Sequence, residues 1–437
     1  MVHENEGISS VRGVGVPELL KLLKNVKKLS FEDVEIVAEE LTFELIPIVL
    51  QTVSPETQKT LNQVKERVAE LASLLGITAP PPTPPTAPPP VVEKPLELEK
   101  VTFEPPIFTY TSEIAEVKIG ATANEGGTRK KVIKIGGEKS PAFYRFENPT
   151  PNRPVVALDV FDELPPLPKT IKECYRDVFK DHAAWINKCI EEYKADLVTV
   201  HLVSTDPSGT NTPAPEAAKF IDKLLDAVDY PFLVGGSGDP EKDLKVFNEV
   251  GKVAKGERIV LASVTLDMDL QQSAKIISEN GLDVIALAFL DINQVKELNS
   301  KLMDYGVSKN NLITDPSTGG LGYGLEYTFS MMERMRLAGL MGDPSMQVPI
   351  SCAATNGWAA REAWLKFDEW GPREYRGPLW EAVTGLLGLF AGADLFMMMH
   401  PLAAQIVKNT AEILSKHKIK EDIKEIPYEN WVKMKVW

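Results

Sequence analysis

From residue 107 onward the chain alternates short β-branched and apolar runs with longer stretches that carry an apolar stripe on one face. The runs fall at 155–160, 197–202, 232–234, 259–264, 284–289, 312–314, 348–352 and 395–399. Helical periodicity follows them, for example over 215–227, 243–253, 293–305, 325–340 and 403–415. Near-continuous apolar strands separated by amphipathic helices imply parallel strands with right-handed crossovers. Eight such units fit a closed barrel better than an open doubly wound sheet, so the expected fold class is α/β, a (β/α)8 TIM barrel. A hairpin over 113–119 and 131–135 precedes it and is expected to plug or flank the barrel bottom. The most apolar stretch, 379–399, is broken by glycines and by Glu381 and Asp394. A bilayer would charge about 2.5–3.5 kcal/mol for each such carboxylate, which predicts a buried helix followed by a buried strand instead of a membrane span.

The N-terminal quarter reads differently. Residues 80–90, PPPTPPTAPPP, place eight prolines in eleven positions, which forbids helix and sheet pairing and favours a stiff polyproline II linker. Before it, Ser54 can cap and Pro55 fits a first turn; Leu61, Val64, Val68, Leu71 and Leu75 form one stripe, and Gly76 ends it. A second helix is expected from Ser30, with Asp33 three residues on and Val34, Val37 and Leu41 as its apolar face. The expected division is a helical docking module over 1–78, a proline-rich linker over 79–106, the barrel over 107–416 and a tail over 417–437. A rigid spacer serves little purpose between parts that always touch, which favours a docking arm over a module packed on its own body.

Composition narrows the function. The 437 residues are 43% hydrophobic and 25% charged, an ordinary globular balance, and their net charge of −14 would repel a phosphate backbone. Nucleic acid is therefore set aside. The N-terminus, MVHENE, lacks the basic start and apolar run of a secretory signal, which predicts that the mature chain begins there. Cys174, Cys189 and Cys352 lie far apart without a CxxC, which suits a reducing cytoplasm. Three cysteines also cannot build an all-cysteine four-ligand cluster.

In a barrel of this kind function sits just after the strands, at their C-terminal ends. Residues 315–324, DPSTGGLGYG, allow backbone N–H groups close approach to a ligand, yet the segment is neither a Walker A loop nor GxGxxG, since Leu325 stands where the last glycine belongs. A tight turn and a ligand or partner contact both remain open for it. The GGSG of 235–238 reads more readily as a strand-end turn. Asp315 and Asn356, at the ends of neighbouring strands, offer an acceptor and an amide that together can read a heterocycle edge, although Asp before Pro is also a common turn starter. His201 and His400 are the two histidines at strand ends, suited either to acid, base or ligand work or to a structural hydrogen bond. No HExxH, serine elbow or clustered metal set occurs. Trp358, Trp364, Trp370 and Trp380, interleaved with Arg361, Arg373 and Arg376, are either interface anchors or the filling of a long insertion.

Several stretches together resemble one family. GATANEGGTR at 120–129, IGGEKSPAFYRFE at 135–147, NRPVVALDVFD at 152–162, STDPSG at 204–209, DPSTGGLGYGLEYTFSMMERMRL at 315–337, GPREYRGPLWEAVTGL at 371–386 and MMMHP at 397–401 are similar to the small subunit of the corrinoid iron-sulfur protein. In archaea this is the delta subunit of the acetyl-CoA decarbonylase/synthase complex, and the wording of 358–380 and the N-terminal extension follow that branch. The resemblance implies a barrel paired with a large (gamma) subunit that brings a [4Fe-4S] cluster and a cobalamin domain, with the corrinoid held between the two chains. It further implies acetyl-CoA synthase and CO dehydrogenase subunits as partners, a methyl-tetrahydropterin as the complex's methyl donor or acceptor, and no covalent chemistry by this chain.

The sequence agrees by what it lacks: besides the few cysteines, the DxHxxG cobalamin motif is missing, since His201 has Thr199 and Ser204 at the needed positions and His400 has Met398. Cobalt and iron are thus expected to come with the partner, and no metal is expected on this chain. The expected cofactor contacts are Ser317, Thr318, Gly319, Gly320, Gly322, Tyr323 and Gly324 of the glycine loop, then Asp206, Ser237, Asn356 and His400, with no catalytic residue. Two other readings compete. One is a pterin-dependent corrinoid methyltransferase, since the barrel also resembles the dihydropteroate-synthase-like group in the placement of Asp315 and Asn356. The other is a purely architectural scaffold.

Overall fold

The computed structural model describes residues 106–416 apart from 146, together with 66–67. Glu66 and Arg67 are helical; the rest of the expected helix over 54–76, the helix from Ser30, the linker and the tail lie outside the described residues.

The hairpin comes first: β1 (Glu116–Ile119) pairs antiparallel with β2 (Ile133–Gly136). Alternation turns Val117, Ile119, Ile133 and Ile135 to one face. That face packs with Val155, Leu197, Val260 and Leu395, residues at the N-terminal ends of the barrel strands. The hairpin is therefore a plug, and each buried Val or Ile contributes about 1.5–3 kcal/mol relative to exposure. Polar ties pin its ends. Gly120 N–H donates to Arg258 O at 2.8 Å, Ala115 N–H to Gln347 O at 3.0 Å, and the buried Arg129 pairs with Glu257 at 2.7 Å.

Eight parallel strands form the wall: β3 (Val155–Phe161), β4 (Leu197–His201), β5 (Phe232–Gly235), β6 (Val260–Val264), β7 (Asp283–Leu287), β8 (Leu312–Asp315), β9 (Ser351–Cys352) and β10 (Leu395–Met398). Strands β3 to β8 pair in chain order, and β10 lies between β3 and β9. The ring closes where Thr314 N–H donates to Pro349 O at 2.9 Å and Thr314 bridges Ile350. The expected strand over 348–352 has a ladder only at its last two residues. Pro349 has no N–H to give, and that of Ile350 is taken by Asp394 Oδ2 at 2.8 Å. The expected strand over 284–289 stops at Leu287, because Leu290 takes a left-handed φ of 47° and leaves Phe289 64% exposed at the rim.

Around the wall stand α1 (Lys169–Tyr175), α2 (His182–Asn187), α3 (Ala214–Ala227), α4 (Pro240–Val253), α5 (Leu270–Asn280), α6 (Ile292–Asp304), α7 (Leu325–Leu340), the short α8 (Arg361–Trp364), α9 (Arg373–Ala391) and α10 (Pro401–Ser415). Aspartates open four of them: Asp181, Asp239, Asp269 and Asp291 accept from the N–H of Ala184, Lys242, Gln272 and Asn293. The stretch 379–399 is the helix and strand expected, α9 ending at Gly392 with φ 101° before β10. No described helix is long and apolar enough to cross a membrane.

Candidate functional site

The strand ends surround a cavity of ≈ 400 Å³ at the C-terminal mouth. Asp315, the last residue of β8, lies in its lining and is almost fully buried. Its Oδ1 accepts from Ser317 N–H at 2.8 Å and its Oδ2 from Ser351 Oγ at 2.9 Å. Burial pushes its carboxyl up to about 6, against these two bonds, which favour the anion.

The glycine loop then doubles back over β9. Ser317 takes a left-handed φ of 68°; Thr318 Oγ1 accepts from Ala353 N–H at 2.9 Å, and Thr318 O accepts from Asn356 Nδ2 at 2.9 Å. Gly319 N–H donates to Thr328 Oγ1 at 2.8 Å. A Cβ on Gly319 would stand 2.7 Å from Tyr323 O and Gly324 C, and one on Gly320 3.0 Å from Asn356 O, so both glycines are required by backbone crowding. Gly322 and Gly324 are instead required by φ values of 77° and 93°; Gly324 starts α7 and leaves Tyr323 and Tyr327 exposed.

Ser317, Thr318, Asn356 and Ser237 all line this cavity. Ser237 is held from below: its N–H and Oγ donate to Asp243 Oδ1 at 2.7 and 2.8 Å, and Gly238 N–H donates to Asp243 Oδ2 at 2.8 Å. Burial pushes the Asp243 carboxyl up, while these bonds oppose it.

The other seven expected contacts are outside the cavity lining: Gly319, Gly320, Gly322, Tyr323 and Gly324 of the loop, and Asp206 and His400. Asp206 is outside the cavity lining, with Oδ1 accepting from both the N–H and the Oγ of Ser208 at 2.7 Å; those bonds hold its carboxyl below the usual range. His400 is 5% exposed and opens α10, its Nδ1 accepting from Leu402 N–H at 3.1 Å while its Nε2 lies 3.6 Å from Cys174 Sγ. Burial pulls its pKa down to about 3. Beneath it the buried Glu381, pushed up to about 8 by burial, accepts from the N–H groups of Met399 and His400. His201 does line the cavity, with its Nε2 3.0 Å from Asp159 Oδ1 and its ring stacked on Phe161 at 5.2 Å.

Sequence reasoning missed Asp159 and Asp243. The first hides within the apolar run 155–160, where a lone carboxylate was the available signal; the second lies a turn into α4 and meets the GGSG turn only through the fold. The tryptophans divide between their two readings: Trp358 is buried, stacked on His400 with centroids 6.2 Å apart, whereas Trp364 and Trp370 are each 42% exposed. Arg376 is buried over Trp370 and bonds to Leu365 O at 2.6 Å, which makes it a staple of the insertion. Burial raises the thiols of Cys174 and Cys352 to about 12, far from a thiolate at neutral pH. Among the described residues, no group of three or more His, Cys, Asp or Glu is placed to hold a metal ion.

Residues 116–368 match the family model described as CO dehydrogenase/acetyl-CoA synthase delta subunit. The acetyl-CoA decarbonylase/synthase complex subunit delta of Archaeoglobus fulgidus is 42% identical over 426 residues, covering 91% of this chain and 94% of the relative. That of Methanocaldococcus jannaschii is 39% identical over 398 residues, covering 91% and 92%, and subunit delta 1 of Methanosarcina thermophila is 47% identical over 315 residues, covering 70% and 72%. Among solved structures, a Xanthomonas albilineans dihydropteroate synthase with indole-2-carboxylic acid and 6-chloroguanine is 15% identical, covers 61% of this chain and 94% of its own, and has a TM-score of 0.42. With the family model spanning more than half of the sequence and relatives aligned over nearly their whole length, the chain belongs to the family of acetyl-CoA decarbonylase/synthase delta subunits.

Proposed function

We propose that this chain is the small partner of a large corrinoid iron-sulfur subunit, that its barrel mouth caps the corrinoid, and that it keeps the multienzyme complex assembled while methyl groups move. A corrinoid, when bound, supplies the cobalt that carries methyl between a tetrahydropterin and the nickel site of acetyl-CoA synthase. The observation that carries the reading is the form of the mouth: an open cavity with the 64% exposed Phe289 in its lining, beside a glycine loop that leaves Tyr323 and Tyr327 52% and 64% exposed. Exposed rings beside a rigid glycine loop suit a flat group pressed against the rim from outside, and aromatic anchors suit a protein partner around it.

The donor set fits a cap. His400 Nδ1 and His201 Nε2 are already engaged, so neither of these nitrogens is offered to cobalt, and the raised thiols lack the character of a ligand or nucleophile. The work of this chain's own residues is to exclude water through the apolar rim and to hold the loop in register through Thr318, Asn356 and Thr328. Family membership agrees, since the relatives' names place them in the acetyl-CoA decarbonylase/synthase complex.

The pterin-dependent methyltransferase reading has one observation in its favour: Asp315 and Asn356 line the same cavity. Titrating the full chain into the corrinoid-bearing large subunit separates the two. The pairing reading expects a stoichiometric complex with an altered cobalt spectrum; turnover of methyl-tetrahydropterin by this chain with a free corrinoid would favour the methyltransferase.

A further inference from the structure

A second concavity opens at the same end of the barrel, between the proline-rich turn 166–168 and the insertion after β9, with Met399 in its lining and a volume of ≈ 630 Å³. Its charge is opposite to that of the mouth. The mouth cavity is lined by Asp243 and Asp315 and by no Lys or Arg; this cleft is lined by Lys169, Lys172 and Arg373 and by no carboxylate. In a chain of net charge −14, three cations gathered without a counter-charge in their own cleft call for an anion from outside.

Arg373 sharpens the point, because it is half-buried and no ion pair or hydrogen bond among the described residues engages it. Lys169 reaches Glu173 at 3.5 Å, an exposed pair that neutralises little. A partly desolvated guanidinium without an acceptor carries a cost that a bound phosphate would offset through forked hydrogen bonds. The wall supplies the other half of a ligand site: Trp364 presents a 42% exposed indole beside these cations, and the cleft has the size of sites that take drug-sized molecules.

We propose that this cleft binds an aromatic base joined to a phosphate, the ring against Trp364 and the phosphate among Lys169, Lys172 and Arg373. Two sources share that chemistry: a free nucleotide, and the nucleotide tail of a corrinoid, the latter resting on the corrinoid-capping reading above. Stacking on indole tolerates any flat base, so the cations set the preference for a phosphate ester over a neutral nucleoside.

The test is calorimetric titration of the full chain with ADP, with adenosine, and with cobalamin against cobinamide, which lacks the nucleotide tail. ADP is expected to saturate below about 1 mM, to outcompete adenosine by about tenfold or more, and to weaken as salt is raised. Arg373→Glu and Trp364→Ala should each weaken it about tenfold, and Lys172→Glu, at an exposed position that cannot disturb the core, should do the same. A preference for cobalamin over cobinamide that Lys172→Glu removes assigns the corrinoid tail; ADP binding without that preference assigns a free nucleotide. Failure of both ADP and cobalamin to bind, or binding indifferent to Lys172→Glu and Arg373→Glu, overturns the proposal. Because the ADP arm involves no corrinoid, its result stands apart from the pairing reading, which the large-subunit titration decides.

Discussion

His400 illustrates how a residue at a strand end can be legible by position and still serve a different task. Its imidazole caps α10 through Leu402 N–H, and burial holds its pKa near 3, so the folded protein keeps it neutral where an unfolded chain would protonate it below about 6.5. The stability from neutral His400 is therefore present above pH 6.5 and lost as pH falls from 6.5 toward 3, at up to about 1.4 kcal/mol per pH unit. His400→Asn, which keeps a capping side chain, should flatten that part of the pH profile in denaturant unfolding; a variant as acid-sensitive as the parent would show that the histidine titrates normally. The glycine loop makes a second residue-scale distinction. Gly319→Ala drives a Cβ to 2.7 Å from the Tyr323 and Gly324 backbone and should displace the loop, whereas Gly322→Ala meets nothing within 4 Å and pays only the left-handed φ, about 1–2 kcal/mol. If the loop holds the mouth's shape, Gly319→Ala weakens pairing with the large subunit much more than Gly322→Ala does. Equal effects on pairing would argue against that role.

At the scale of elements, the runs at 155–160, 232–234 and 395–399 were legible because strands buried on both faces must be apolar throughout. Helix α7 appears over the span its periodicity predicts, 325–340. What escaped depends on contacts distant in sequence. β9 is reduced to two residues by Asp394, far along the chain. The buried tie between α7 and β10 belongs to the same class. Arg336 pairs with Glu138 at 2.9 Å and Asp394 at 2.6 Å, joining the segment after the hairpin to α7 and the base of β10. Burial pushes the Glu138 carboxyl up, and its neighbour Asp394 adds to the shift. Arg336→Leu would leave two buried carboxylates facing each other without a cation and should cost about 3–5 kcal/mol at neutral pH, less in acid where a proton can take the cation's place. Thermal unfolding at pH 5 and pH 8 checks this, and an equal loss at both would contradict the electrostatic account.

For the whole molecule, the hairpin closes the bottom of the barrel and the top is left open. At the open end lie two concavities of opposite charge, the acidic mouth and the cationic cleft. The barrel was readable from the sequence as eight repeating units, and so were His201, Ser237, Asp315, Ser317, Thr318 and Asn356 of the mouth's lining as strand-end residues; Asp243 was not, since it reaches the cavity from a turn inside α4. The sequence of residues 1–90 predicts a docking module on a proline-rich spacer. Deleting residues 1–90 should therefore abolish co-assembly with the acetyl-CoA synthase and CO dehydrogenase subunits while sparing the pair with the corrinoid subunit; loss of both together would refute an independent arm. Whether this chain caps a corrinoid held by a larger partner, as proposed above, can be read directly from the metal it carries. The most direct measurement is anaerobic capture of the tagged full chain from its native cells, with cobalt, iron and nickel quantified and the captured chains identified. Cobalt and iron are expected to arrive with one larger chain and to leave when that chain is stripped away; a metal-free chain that converts methyl-tetrahydropterin with added free corrinoid would overturn the capping role.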